Sequence, residues 1–270
     1  MGRRSLSGKV VVITGGARGI GAATARALAS RGAVVVIGDL DVEPAKETAA
    51  AVGGSGHALD VTDHAAFSAF LGSLGQIDVL INNAGIMPLA AVTEEPPETT
   101  ARQLEINLHA VIHGTRAAVG IMRRQGSGHI VNVASAAGKF GFPNGSTYCA
   151  TKFGVVGFSE AVRAELRGSG IEVSCVMPGM VRTELISGLS EIGFLRPVTA
   201  EAVALGIVRA LEKPRFDVFV PRRLNALTRF QRLVPRRLSE WAMRVVGADT
   251  ALFHGASSAA RAAYETRVHG

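Results

Sequence analysis

The chain has 270 residues, 47% of them hydrophobic and 19% charged, an ordinary globular mix long enough to bury one large core. Its net charge of +7 is concentrated at one end: residues 221–270 carry nine arginines, no lysine and three acids, so residues 1–220 are close to neutral and offer no basic surface for nucleic acid. No apolar run approaches the ~18 residues of a membrane span, the opening "MGRRSLSGKV" lacks the apolar core of a secretory signal, and two cysteines, Cys149 and Cys175, fit a cytoplasmic, reducing setting.

Taken in chain order, short β-branched runs alternate with alanine-rich helical stretches. "KVVVIT" (9–14) is continuously apolar, as a parallel strand covered on both faces should be. A helix follows over 19–32, with Gly32 as its stop signal, then a strand over 33–39. The pattern continues with a helix near 43–52, a strand over 57–61, a helix near 63–74, a strand over 77–85 and a long helix over about 99–125. Further strands are predicted at 128–135, 171–179 and 216–220, with helices at about 148–168 and 199–213, the last capped by Thr199. The repeated β-α-β order without an internal linker predicts a single-domain α/β fold: a doubly wound sheet of about seven parallel strands over residues 1–220, followed by a basic helical extension over 221–270. Residues 180–198 form the longest irregular insertion and make a candidate lid.

The first strand-to-helix turn reads "TGGARGIG" (14–21). Gly15, Gly19 and Gly21 allow a tight turn, close approach of a pyrophosphate and packing of the helix on the sheet, with Arg18 and Ile20 between them. Asp39 ends the second strand, where a carboxylate can accept both hydroxyls of an adenosine ribose and repel a 2′-phosphate. Arg18 pulls toward a 2′-phosphate, but no base follows Asp39, so NAD is predicted over NADP. Asp60 and Val61, at the end of the third strand, are placed to meet the adenine ring.

"YCATK" (148–152) sets a phenol and an amine four residues apart on one face of a helix that otherwise reads as buried. By itself such a pair reads as snorkelling to water. It occurs, however, in order with "TGGARGIG", "NNAG" (82–85), Asn107 in a helix, Ser135 after a strand, and "PG" (178–179). With these segments the chain resembles the short-chain dehydrogenase/reductase family over roughly residues 8–220. The resemblance implies a Rossmann-like fold, a nicotinamide cofactor, a soluble homotetramer or homodimer, and catalysis by Ser135, Tyr148 and Lys152 with support from Asn107. It also implies cofactor contacts from Asn83, Ala84 and Gly85, from Tyr148 and Lys152, whose ammonium can bind the nicotinamide ribose, and from Pro178, Gly179, Val181 and Thr183. Two positions vary: Ala134 stands where relatives often carry serine, and Cys149 adjoins the tyrosine.

The implied reaction interconverts an alcohol and a carbonyl by hydride transfer, with Tyr148 exchanging the proton. A free phenol titrates near 10, and lowering it by about 3 units needs about 4 kcal/mol of differential stabilisation. Lys152 and a positively charged nicotinamide ring are the expected sources. Ser135 would orient the substrate oxygen, and Asn107 would hold a water linking Lys152 to solvent. The seven histidines show no ligand spacing, so no metal is expected.

Met87, Phe140, Phe142 and Met180 follow strand ends and predict a lipophilic alcohol or ketone, such as a steroid, terpenoid or fatty derivative. Residues 222–247 place apolar side chains at helical spacing among arginines, a candidate peripheral membrane contact, with Pro235 expected to split the helix. The competing functions on this fold are a cofactor-sensing regulator and a membrane adaptor.

Overall fold

The structure, a computed structural model, describes residues 2–187 and 197–233 together with 235, 261, 264 and 266. Seven strands form one sheet: β1 (Val10–Thr14), β2 (Val34–Asp39), β3 (Ser55–Ala58), β4 (Val79–Asn82), β5 (Gly128–Val133), β6 (Ile171–Pro178) and β7 (Asp217–Val220). Every neighbouring pair is parallel, in the order β3-β2-β1-β4-β5-β6-β7. The doubly wound parallel sheet predicted from the sequence is therefore the fold.

The strands are central because both of their faces are apolar. Val11, Val12 and Ile13 of β1 and Leu80 and Ile81 of β4 are wholly removed from solvent. One face packs against α1 (Gly19–Ala29), α2 (Val42–Ala50) and α7 (Ala200–Glu212), through Leu28, Ala45 and Ile207. The other packs against α3 (His64–Ser73), α5 (Ala110–Gln125) and α6 (Ser146–Glu165), through Phe67, Met122 and Val162. The strand order reverses between β1 and β4, where the connections leave toward opposite faces. That divergence opens a crevice at the carboxyl ends of the strands, where open parallel sheets bind ligands.

Several predicted boundaries shift. The third strand is Ser55–Ala58 rather than 57–61. It stops early because Asp60 turns the chain, its carboxylate accepting the Thr62 N–H at 2.9 Å and the Thr62 hydroxyl at 2.7 Å. The fourth strand ends at Asn82, leaving Asn83–Gly85 in the loop. The predicted long helix is in fact α4 (Pro97–Leu104), a π-helical turn over Glu105–His109, and then α5. α1 stops at Ala29, and Gly32 takes its left-handed conformation three residues later, beyond the cap. Thr199 caps α7 as expected, accepting the Ala202 N–H at 3.2 Å.

The segment after β6 is tied at its root by a parallel bridge between Val181 and Val198. Most of the predicted lid, 188–196, lies outside the described residues, as does most of the basic stretch 222–247. Its described part includes α8 (Arg223–Leu233), in which Leu224 is buried and Leu227 is 38% exposed. Among the described residues no helix is long and apolar enough to cross a membrane.

His129 of β5 is buried, its ring 2.9 Å from the Ser174 hydroxyl, and burial pushes its pKa down to about 3. The folded chain therefore binds a proton at this ring less readily than the unfolded chain, whose histidine titrates near 6.5. This contribution is complete above pH 6.5 and is lost as pH falls from there toward 3, by about 1.4 kcal/mol per unit. His129→Gln should flatten that part of the profile. Urea unfolding of both proteins at pH 7, 5.5 and 4.5 measures the difference, and equal slopes would contradict the assignment.

Candidate active site

The crevice is a cavity of about 420 Å³ that runs from the glycine turn to the N-terminal end of α6. At one end, Gly15 and Gly19 adopt left-handed φ of 63° and 54°. Space is as limiting as conformation. A Cβ on Gly15 would lie 2.8 Å from the Ala84 Cα, and one on Gly21 would lie 2.2 Å from the Gly15 carbonyl oxygen. α1 starts on this turn without a side-chain cap, so its first N–H groups point their partial positive charge toward the cavity.

Asp39 braces the same turn, its carboxylate accepting the Ala17 N–H at 2.9 Å and the Asp41 N–H at 3.1 Å. Arg18 forms an ion pair with Asp41, and this contact, ahead of any other, raises its pKa. The sequence treats Arg18 as open to a phosphate; in the fold its charge is already matched by a carboxylate two residues beyond Asp39. Asp60 and Val61 line the cavity from the turn after β3 rather than from the strand itself.

Asn83 holds the turn from below. Its amide donates to the Thr14 and Gly15 carbonyls at 3.0 and 2.8 Å, while the Thr14 hydroxyl accepts the N–H groups of Asn83 and Ala84 at 3.0 and 3.1 Å. The role of Thr14 is not visible in the sequence, where it reads only as the last residue of a strand.

At the other end Tyr148 and Lys152 are both buried, 6% and 5% exposed, which removes the surface-pair alternative. Lys152 Nζ donates to the Val133 carbonyl at 3.1 Å and lies 5.7 Å from the centre of the Tyr148 ring. Ser135 caps the short turn Ala136–Gly138, accepting the Ala137 N–H at 3.1 Å, and its hydroxyl also reaches the Tyr148 phenol. Burial raises the Tyr148 pKa, with the bond to Ser135 pulling it part of the way back. The same desolvation lowers Lys152 to about 8. The sequence expects Lys152 together with an oxidised nicotinamide ring to lower the phenol; in the protein alone, burial is the largest influence and raises it.

Asn107 sits in the π-helical turn, fully buried. It does not line the cavity. Its amide group binds the Ile86 backbone on both sides, at 2.8 Å each, and so clamps the chain leaving β4. A Cβ on Gly85 would lie 3.0 Å from Asn107 Oδ1 and 3.6 Å from Lys152 Nζ, so these groups converge behind the loop. Gly21 likewise supports the cavity from inside α1 without lining it.

The other predicted residues line the wall: Ile20, Asn83, Ala84 and Gly85, then Pro178, Gly179, Val181 and Thr183, and Met87, Phe140, Phe142 and Met180. Wall residues that sequence reasoning did not single out include Asp41, Leu59, Ile86, Arg102 and, from the far C-terminal region, Tyr264. Nothing in the local pattern of 261–266 marks Tyr264; the signal available was that the chain has only two tyrosines. Among the described residues no cluster of histidine, cysteine or carboxylate could hold a metal ion.

Comparison with known proteins gives the family of the chain. The family described as short chain dehydrogenase matches residues 9–191, and the chain belongs to that family, whose members are oxidoreductases. It is 41% identical over 189 residues to a D-threitol dehydrogenase of Mycolicibacterium smegmatis, covering 67% of this chain and 73% of that one. It is 38% identical over 192 residues to a 3-alpha-(or 20-beta)-hydroxysteroid dehydrogenase of Mycobacterium tuberculosis, covering 69% and 74%. A crystal structure of a short chain dehydrogenase/reductase from Burkholderia phymatum in complex with NAD superposes with a TM-score of 0.78 at 26% identity, covering 85% of this chain and 94% of the other.

α6 is pinned to the sheet by a buried polar relay. Asn82 donates to Asn132 Oδ1 at 2.8 Å and to Thr115 at 3.1 Å, and Asn132 donates to Ser159 of α6 at 2.9 Å. Asn132→Ala leaves several of these groups without partners and should cost about 2–3 kcal/mol. Chemical denaturation checks this; a loss below about 0.5 kcal/mol, the size of a surface change, would contradict it.

Proposed function

We propose that the chain is a nicotinamide-dependent dehydrogenase or reductase that interconverts a secondary or primary alcohol and its carbonyl, with NAD preferred to NADP and with lipophilic substrates. One observation carries the reading: a glycine turn braced by Asp39 and a group of Ser135 with the buried Tyr148 and Lys152 line one continuous cavity. The glycine turn fits a dinucleotide, since side chains at Gly15 or Gly21 would collide with backbone and the helix N-terminus is uncapped. When bound, the nicotinamide supplies the acceptor or donor of the hydride.

The residues of the chain handle the proton and the orientation. Ser135 would hydrogen-bond the reacting oxygen and hold it against the Tyr148 hydroxyl. Tyr148 gives its proton to the oxygen in reduction and takes it back in oxidation. Its raised pKa favours the neutral phenol, a ready donor at neutral pH. Lys152, brought near 8, would steady the phenolate and exchange protons with it. Asn107 would act by positioning Ile86 and Gly85 beside that amine. The contacts of Asn83, Ala84, Gly85, Pro178, Gly179, Val181 and Thr183 with the cofactor are proposed on their place along the wall.

Asp39 and the pairing of Arg18 with Asp41 support NAD, because a 2′-phosphate would meet two carboxylates and an already neutralised arginine. Met87, Phe142 and Met180 support a lipophilic substrate, as does the hydroxysteroid dehydrogenase among the relatives. Residues 1–220 would form the catalytic body and 221–270 an extension. Exposed Phe153 on α6 supports self-association into a dimer or tetramer, and the exposed side of α8, with Arg223 and Leu227, supports contact with an anionic surface.

Tyr148→Phe should lower turnover by about 10²–10⁴-fold while leaving NADH affinity intact. Steady-state rates and NADH fluorescence titration check both, and unchanged turnover would refute the mechanism. Because the phenol is pushed up, alcohol oxidation should rise through pH 7 to 9 while carbonyl reduction stays level there. Initial rates in both directions test the contrast. Asp39→Ala should shift the NADP-to-NAD ratio of kcat/KM by at least about tenfold toward NADP, and an unmoved ratio would remove Asp39 from cofactor choice.

A further inference from the structure

The two tyrosines of the chain lie 116 positions apart in sequence, yet both line the same cavity. Tyr264 is buried, and its hydroxyl accepts the Met87 N–H at 2.8 Å. Met87 belongs to the apolar cluster that contains Tyr148, Ala137 and Cys149, with Leu185 and Ile186 packed against it. Tyr264 is close enough that its charge would bear on the Tyr148 phenol.

Arg261 explains why the ring stays there. It is one of the largest wholly buried side chains described, and its guanidinium lies 4.7 Å from the centre of the Tyr264 ring. Residues 261 and 264 are both helical and three apart, which places them on one face. One arm of the guanidinium donates to the Leu185 carbonyl at 2.9 Å and the other to the Met87 carbonyl. Leu185 belongs to the wall after β6, and Met87 to the wall after β4. A buried arginine is costly unless its donors are met, and here they join two loops that share no strand. The fork geometry makes both contacts at once, which a lysine would not reproduce.

We infer that Tyr264 is a specificity-determining residue that closes the substrate end of the cavity and sets the size of alcohol admitted, with Arg261 as its positioning residue. The inference rests on the oxidoreductase reading above. It assigns the C-terminal region, which lies beyond the matched residues 9–191, a part in substrate choice rather than in cofactor binding. Met87, whose N–H Tyr264 holds, lies in a cluster with Ala137, Leu185 and Ile186, so this part of the wall selects hydrocarbon bulk more than polar groups.

The test uses the full chain with NAD and a series of secondary alcohols of increasing bulk, from 2-butanol to a hydroxysteroid. Tyr264→Ala and Tyr264→Leu should each raise the ratio of kcat/KM for bulky over small alcohols by at least about tenfold, mainly through KM. Tyr264→Phe keeps the ring and should keep the wild-type ranking. NADH affinity should be unchanged in all three. An unchanged ranking in whichever of Tyr264→Ala and Tyr264→Leu folds would overturn this inference and leave the dehydrogenase reading standing. A wild-type chain that binds NADH but turns over no alcohol or ketone in the series would overturn both.

Discussion

Burying an amine and a phenol side by side at the end of a parallel sheet is unfavourable for any charge either one carries. Water is excluded from Tyr148 and Lys152 alike, and the result is a phenol moved up and an amine moved down to about 8. Both shifts favour the neutral forms. That state is held by the framework, because the ammonium end is tethered to the Val133 carbonyl and α6 is pinned through Ser159 to Asn132. A helix free to slide or rotate by one residue would carry both groups away from the cavity.

The two ends of the cavity are built differently. At the glycine turn the decisive atoms belong to the backbone, and side chains serve to hold them: Asp39 the Ala17 N–H, Asn83 the Thr14 and Gly15 carbonyls. At the Tyr148 end the decisive atoms are side chains, and backbone carbonyls hold them. The wall between the two ends follows the ends of β1 to β6, so the cavity depends on the whole parallel sheet rather than on any one loop.

Much of the frame was legible in the order of residues. Runs such as "VVVIT" and "VLIN" are apolar at consecutive positions, which only a strand covered on both faces requires, and the alternation with helices then demands parallel pairing. Boundaries were less legible, because local polar contacts decide them. Asp60 ends β3 early by bonding Thr62, and Asn107 stabilises a π-helical turn in what reads as an unbroken helix, since its partner Ile86 is 21 residues away. The engagement of Arg18 by Asp41 was hidden for the same reason: the ion pair spans 23 positions and forms only once β2 lies beside β1.

The sequence alone therefore specified the parallel sheet, the glycine turn, the carboxylate at the end of β2 and the presence of a phenol and an amine on one helix face. Those features depend on residue type and short spacing, which a linear pattern carries in full. Folding decided the rest: that the pair is buried, that this burial raises the phenol, that Arg18 is already matched, and that Tyr264 joins Tyr148 in one cavity. Each of these depends on which distant groups come within a few ångströms and on how much water they displace, and neither quantity is encoded at any single position in the chain.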